Sequence, residues 1–175
     1  GWLNVFPSMT GNEFDDIMNF INKLCLILKR LSLIYTGVQW IFPVHLNPNI
    51  KNAVYKQLSL IPNVYLIDPL NHEQTLFLIS KASLVLTDSG GLQEEAVSFN
   101  TPTIVMREST ERMEGVDAGF SKLAGQDPEN IEKMVSDFLN NPHRGLSLLL
   151  KDNPYGDGRA AERIKNILLS CLKGD

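Results

Sequence analysis

Two rhythms of apolar residues alternate along this chain. A short apolar run, Leu3–Phe6, precedes Glu13–Tyr35, in which Phe14, Ile17, Met18, Ile21, Leu24, Cys25 and Leu28 recur at the three- and four-residue spacing of an amphipathic helix. Val38–Val44 reads as a second strand, ended by Pro43-Val44-His45-Leu46-Asn47-Pro48. The pattern then predicts a helix over about Ile50–Leu60, a strand Val64–Ile67 and a helix His72–Lys81. A strand Leu84–Thr87, a helix Gly90–Ser98 and a strand Thr103–Val105 follow. Helices over Pro128–Leu139 and Gly158–Leu172 close the chain, the first with Asp127 as N-cap and proline at its first position. Strands separated by helices require crossover connections, so the expected class is α/β with a doubly wound parallel sheet. No repeat, low-complexity tract or linker breaks the pattern, and residues 1–175 are expected to form one domain.

In such sheets ligands sit at the carboxyl ends of the strands. The loops there are Pro7–Phe14, Pro43–Pro48, Asp68–His72, Asp88–Gly91 and Arg107–Gly119, and they hold most of the chemistry, whereas the loops after helices are short. With 43% hydrophobic and 21% charged residues, the chain is globular and long enough for one full core. A net charge of −4 without a basic block argues against nucleic acid or an anionic membrane surface as partner. The apolar stretch Leu24–Tyr35 is broken by Lys29 and Arg30 and is too short to span a bilayer. Cys25 and Cys171, both in helix-like apolar patterns, are expected to be reduced core thiols, which fits a reducing compartment, the cytoplasm. The opening Gly1-Trp2-Leu3-Asn4-Val5-Phe6 has no secretory pattern and reads as the middle of a longer protein.

The most specific local signal is Leu86-Thr87-Asp88-Ser89-Gly90-Gly91-Leu92-Gln93-Glu94-Glu95, where a buried strand passes through a glycine-bearing turn into a helix. Such a turn aims free N–H groups and the positive helix end at one point, and glycine lets a phosphate approach the backbone. Ser89, Gly90 and Gly91 are therefore candidates for a diphosphate pocket. A plain βα turn with a good cap is the competing reading. Glu94 and Glu95 lie in the first turns of that helix, where they either stabilise its dipole or accept hydrogen bonds from a ribose diol. The run Arg107–Gly115 packs five charges into nine residues at another strand end. Charge runs are usually solvated faces, but an arginine on this edge can fork onto phosphate oxygens. His45, between two prolines, reads as a structural hydrogen-bonder, as do His72 and His143 at helix starts. No Cys/His cluster has metal-ligand spacing, so neither metal nor cofactor is expected.

Four of these segments, in order, resemble the UDP-N-acetylglucosamine 2-epimerases. They are Pro43–Pro48, Thr87–Ala96, Thr110-Glu111-Arg112 and the tail Asn153-Pro154-Tyr155-Gly156-Asp157-Gly158-Arg159-Ala160-Ala161-Glu162-Arg163. The similarity covers about residues 3–170 and corresponds to the C-terminal half of such an enzyme. It implies the GT-B architecture, two Rossmann-like domains with the nucleotide sugar between them, of which the first is not in this sequence. It further implies that Ser89, Gly90 and Gly91 bind the UDP phosphates, that Glu95 holds the ribose hydroxyls, and that Arg112 contacts the phosphate region. In bacterial members the counterpart of His45 belongs to a second, allosteric UDP-sugar site. The implied assembly is a homodimer.

Two positions depart from the family pattern. A His-Arg-Arg-Glu-Asn stretch usually follows the first strand, but this chain reads Ser8-Met9-Thr10-Gly11-Asn12-Glu13-Phe14. An aromatic expected near the uracil is Thr75 here, with Phe77 two residues on. The implied reaction epimerises UDP-GlcNAc to UDP-ManNAc by eliminating UDP and adding it back. This half would stabilise the departing diphosphate, with no proton-moving residue of its own. A hydrolysing variant would use the same pocket. A GT-B glycosyltransferase donor domain and a non-catalytic UDP-sugar-binding module are the rival readings.

Overall fold

The computed structural model describes residues 2–6, 14–141 and 152–173. Six strands form one wholly parallel sheet: β1 (Trp2–Phe6), β2 (Gln39–Pro43), β3 (Val64–Ile67), β4 (Leu84–Thr87), β5 (Thr103–Val105) and β6 (Ser121–Leu123). Their order is β3-β2-β1-β4-β5-β6, that of a Rossmann-like doubly wound sheet, as the alternation of elements predicts. Seven helices are described: α1 (Phe14–Ile34), α2 (Pro48–Leu58), α3 (His72–Lys81), α4 (Gly90–Ser98), α5 (Met113–Asp117), α6 (Pro128–Asn140) and α7 (Ala160–Lys173). α1 packs against α2 and α6, and α4 packs against α3 and α5.

The main core lies between the sheet and α1, α2 and α6. α1 buries Ile21, Leu24, Cys25 and Leu28 of the stripe its spacing predicts, and Leu31 beyond it, against Trp40 and Phe42 of β2 and Val54 and Leu58 of α2. β4 is buried along all four residues, as a central parallel strand covered on both faces must be. Two short elements are absent from the sequence-based expectation: α5, inside Arg107–Gly119, which reads as loop, and β6 just after it. α5 has five residues and β6 three, too short for periodicity to register. Capping moves some helix starts. Asn47 accepts from Asn49 N–H and Pro48 is the first residue of α2, two residues before the apolar pattern begins. Asn71 and Gln74 form a reciprocal capping box that sets the start of α3 at His72.

Cys171 corrects an expectation. Cys25 is buried and its thiol is pushed up to about 12 by desolvation, but Cys171 lies exposed on α7. The apolar stripe of α7, including Ile164, Ile167, Leu168 and Leu172, is exposed too, so its periodicity marks an amphipathic helix with no core behind it among the described residues. Both thiols are free. No helix among the described residues is long and apolar enough to cross a membrane.

Candidate functional site

In this strand order the chain leaves β1 toward one sheet edge and β4 toward the other, so a crevice opens where their carboxyl ends adjoin. The turn Asp88–Gly91 lies there. Ser89 is the N-cap residue of α4 with an extended backbone (φ −80°, ψ 128°), and its side chain makes no capping hydrogen bond. The first-turn N–H groups of Gly90, Gly91 and Leu92 consequently have no helical acceptor and no cap, and they point out of the helix end. Ser89 N–H donates to Thr87 Oγ1 at 3.1 Å, which fixes how the chain leaves the strand. Neither glycine adopts a left-handed backbone. Among the described residues a Cβ on Gly91 would meet nothing within 4 Å, so none of them requires the missing side chain there.

Arg112 stands over this turn. A Cβ built on Gly90 would lie 3.4 Å from Arg112 Cζ and Nε, so the guanidinium packs directly against the start of α4. Its Nε donates to Glu94 Oε1 at 2.6 Å, and that hydrogen bond, with the charge behind it, raises the arginine's pKa above its ordinary value. The guanidinium and the helix end thus place two sources of positive potential beside each other at the crevice. Three more charges of the run have structural partners, and Glu111 also lies 3.9 Å from Arg112. Arg107 pairs with Glu111 at 3.4 Å, and Glu108 accepts from Gln126 N–H at 3.1 Å.

Glu94 and Glu95 divide their tasks. Glu94 pairs with Arg112, while Glu95 Oε1 lies 3.6 Å from His72 Nδ1 at the start of α3. Glu95 Oε2 is a buried atom with no hydrogen-bond partner among the described residues. A carboxylate oxygen in that state is unsatisfied in the protein alone and suits a donor such as a ligand hydroxyl. Of the residues singled out in the sequence, Ser89, Gly90, Gly91 and Arg112 meet at the first turn of α4, and Glu95 lies one turn on, facing the start of α3. His45 is not among them. It lies exposed after β2 with Nδ1 accepting from Asn47 N–H at 3.1 Å, so it braces the start of α2. Thr75 spends its hydroxyl on Asn71 O at 2.9 Å, and Phe77 is largely exposed. The Ser8–Glu13 stretch and His143 lie outside the described residues.

Sequence reasoning missed three participants. Gln93 is fully buried and accepts from Thr110 Oγ1–H at 2.8 Å; the Thr110 oxygen in turn accepts from Arg112 N–H at 3.2 Å. The Arg112 carbonyl accepts from the Tyr155 hydroxyl at 3.3 Å. Only a polar residue on the inward face of α4 could have flagged Gln93, and no spacing rule links positions 112 and 155.

The UDP-N-acetylglucosamine 2-epimerase family model matches residues 12–169 of this sequence. The chain belongs to that family. The UDP-N-acetylglucosamine 2-epimerase of Campylobacter jejuni is 40% identical over 164 residues, which are 94% of this chain and 43% of that protein. Among solved structures, the UDP-GlcNAc 2-epimerase of Neisseria meningitidis bound to UDP-GlcNAc superposes with a TM-score of 0.84 at 32% identity, covering 97% of this chain and 44% of its own. The S. aureus MnaA–UDP complex gives 0.87 at 32% identity, covering 98% and 46%. This chain thus spans less than half the length of the epimerases it matches, as one Rossmann-like half of a GT-B enzyme does.

Proposed function

We propose that this chain is the UDP-gripping half of a UDP-N-acetylglucosamine 2-epimerase that interconverts UDP-GlcNAc and UDP-ManNAc. One observation carries the reading: an uncapped helix N-terminus with glycine at its first two positions lies at the switch point of the sheet, under an arginine. In this reading the N–H groups of Gly90 and Gly91 and the Ser89 hydroxyl hold the diphosphate, and Arg112 neutralises charge that builds on it as the bond to the sugar breaks. Glu95, with an unsatisfied oxygen, takes the ribose hydroxyls. Donors fixed before the reaction stabilise developing charge without reorganising, the usual origin of large rate effects in such steps.

In this reading the site grips the leaving group and does not move the proton at the sugar C2. That task falls, as the resemblance implies, to carboxylates of the N-terminal half. The enzyme would work in the cytoplasm as a homodimer and feed cell-surface polysaccharide synthesis; the free thiols fit that compartment. His45 would serve a second UDP-sugar site.

Calorimetric titration tests the proposal. The chain is expected to bind UDP weakly and to give no UDP-ManNAc from UDP-GlcNAc, while Arg112→Ala costs roughly 1.5–3 kcal/mol of UDP affinity, the worth of one charged hydrogen bond. Turnover by the chain alone would refute the division of labour, and unchanged affinity would remove Arg112 from the site. Sugar transfer to an acceptor would point to a glycosyltransferase instead.

A further inference from the structure

The tail Asn153–Arg163 is part of what links this chain to its family, yet no element of the proposed chemistry uses it. Each of its polar residues has a definite task. Asn153 Oδ1 accepts from Tyr155 N–H at 2.9 Å and its Nδ2 donates to Ser98 Oγ at 3.2 Å, which folds the tail into a turn and moors it to the end of α4. Gly156 (φ +111°) and Gly158 (φ +76°) then carry the chain through backbone that a side chain would strain. Asp157 takes Arg163 in a two-pronged pair at 2.7 and 2.8 Å and accepts from Arg159 N–H, starting α7.

Everything in this frame converges on one hydroxyl. The Tyr155 ring packs against the Val97–Phe120 cluster, and its oxygen reaches under α5. There it accepts from Gly115 N–H at 3.2 Å and donates to the Arg112 carbonyl at 3.3 Å. The fit leaves no slack: a Cβ on Gly115 would stand 2.6 Å from the phenol oxygen. Desolvation raises the phenol's pKa, so it remains a donor. The backbone of Arg112 is thereby held on both sides, its N–H by Thr110 and Gln93 from α4 and its carbonyl by Tyr155 from the tail. Arg112 needs such support. It occupies an irregular conformation (φ −101°, ψ 53°) ahead of a five-residue helix that cannot hold its own geometry.

We infer that Tyr155 is a positioning residue for the phosphate site: its hydroxyl fixes the Arg112 backbone so that the guanidinium lies over the first turn of α4. The inference rests on the proposed UDP-gripping role of Arg112 for its functional meaning, but not for its geometry. The same frame gives the otherwise unused tail motif a purpose, and gives Gly115 one: it is the notch that admits the phenol.

The test is Tyr155→Phe in the intact 175-residue chain, which keeps the ring in its apolar seat and removes only the oxygen. The Nε–H resonance of Arg112, assigned by its loss in Arg112→Ala, reports the guanidinium geometry without any ligand. It is expected to move to the position of a solvated arginine in Tyr155→Phe, and Gly115→Ala is expected to do the same. UDP affinity in Tyr155→Phe falls roughly three- to tenfold, the worth of one hydrogen bond. In an Arg112→Ala background the same change has no further effect on affinity. An unmoved Arg112 resonance in Tyr155→Phe overturns the inference, and so does a full affinity loss that persists without Arg112, which would make the phenol a general support of the fold. If the unaltered chain binds no UDP, the proposed function fails, and the resonance still decides the role of Tyr155.

Discussion

Gly91→Ala separates a glycine kept by the ligand from one kept by the fold. Gly91 is the second residue of α4, its backbone is not left-handed, and a Cβ there meets no atom within 4 Å. Among the described residues nothing penalises alanine at this position. By restricting the unfolded chain, the substitution should stabilise the fold by about 0.4–1 kcal/mol. For a chain of this length that is a rise of about 1–4 °C in Tm. The new methyl group, however, stands at the mouth of the uncapped helix end, where the proposed function brings a phosphate to the N–H groups. Holding the anion off one charged hydrogen bond costs about 1.5–3 kcal/mol, roughly a 10- to 150-fold loss of UDP affinity. Thermal unfolding with and without millimolar UDP reads both effects on the same sample. The expected result is a higher Tm for the free variant and a smaller shift on adding UDP. A variant that gains stability and binds UDP as before would refute the reasoning, because the phosphate would then not pass over Gly91.

Three further outcomes follow from the fold. Ellman's reagent should titrate one thiol per native chain and none in Cys171→Ser, since Cys25 is buried with its pKa pushed up to about 12 from an ordinary value of 9.0. Because the folded-state pKa is the raised one, the stability tied to Cys25 is intact below pH 9 and is lost as pH climbs toward 12, so Cys25→Ala should flatten the alkaline fall in the urea midpoint. Asp127→Ala removes the acceptor for Glu129 N–H at the start of α6 and should lower stability by about 0.5–2 kcal/mol in urea unfolding; an unchanged midpoint would show that Pro128 alone sets that helix start.

Much of this was legible in the sequence because local chemistry and tertiary structure agree there. β3, α3, β4, α4 and β5 fall on the residues that the pattern predicts, each bounded by a cap, a turn glycine or a proline. Where an element is shorter than its own period, as in α5 and β6, the pattern has nothing to repeat. Cys171 shows the opposite failure, since spacing identifies the apolar face of α7 but not what covers it. The site divides in the same way. Ser89, Gly90 and Gly91 announce themselves by adjacency to a strand end. That Glu94 rather than Glu95 answers Arg112 depends on which side of one helical turn faces α5, and no linear spacing between positions 94 and 112 encodes it.

The pairing of β1 with β4 has a kinetic side. Leu3 lies in register with Leu84, and Phe6 with Thr87, so the crevice exists only after roughly eighty intervening residues have been looped out. Such a closure is entropically costly and is complete only when the long-range pairing of the sheet is made. The pocket is then no local module that could form in a partly folded chain. A nucleotide that recognises it recognises the finished sheet, and its binding free energy adds to the global stability of the chain instead of to one loop.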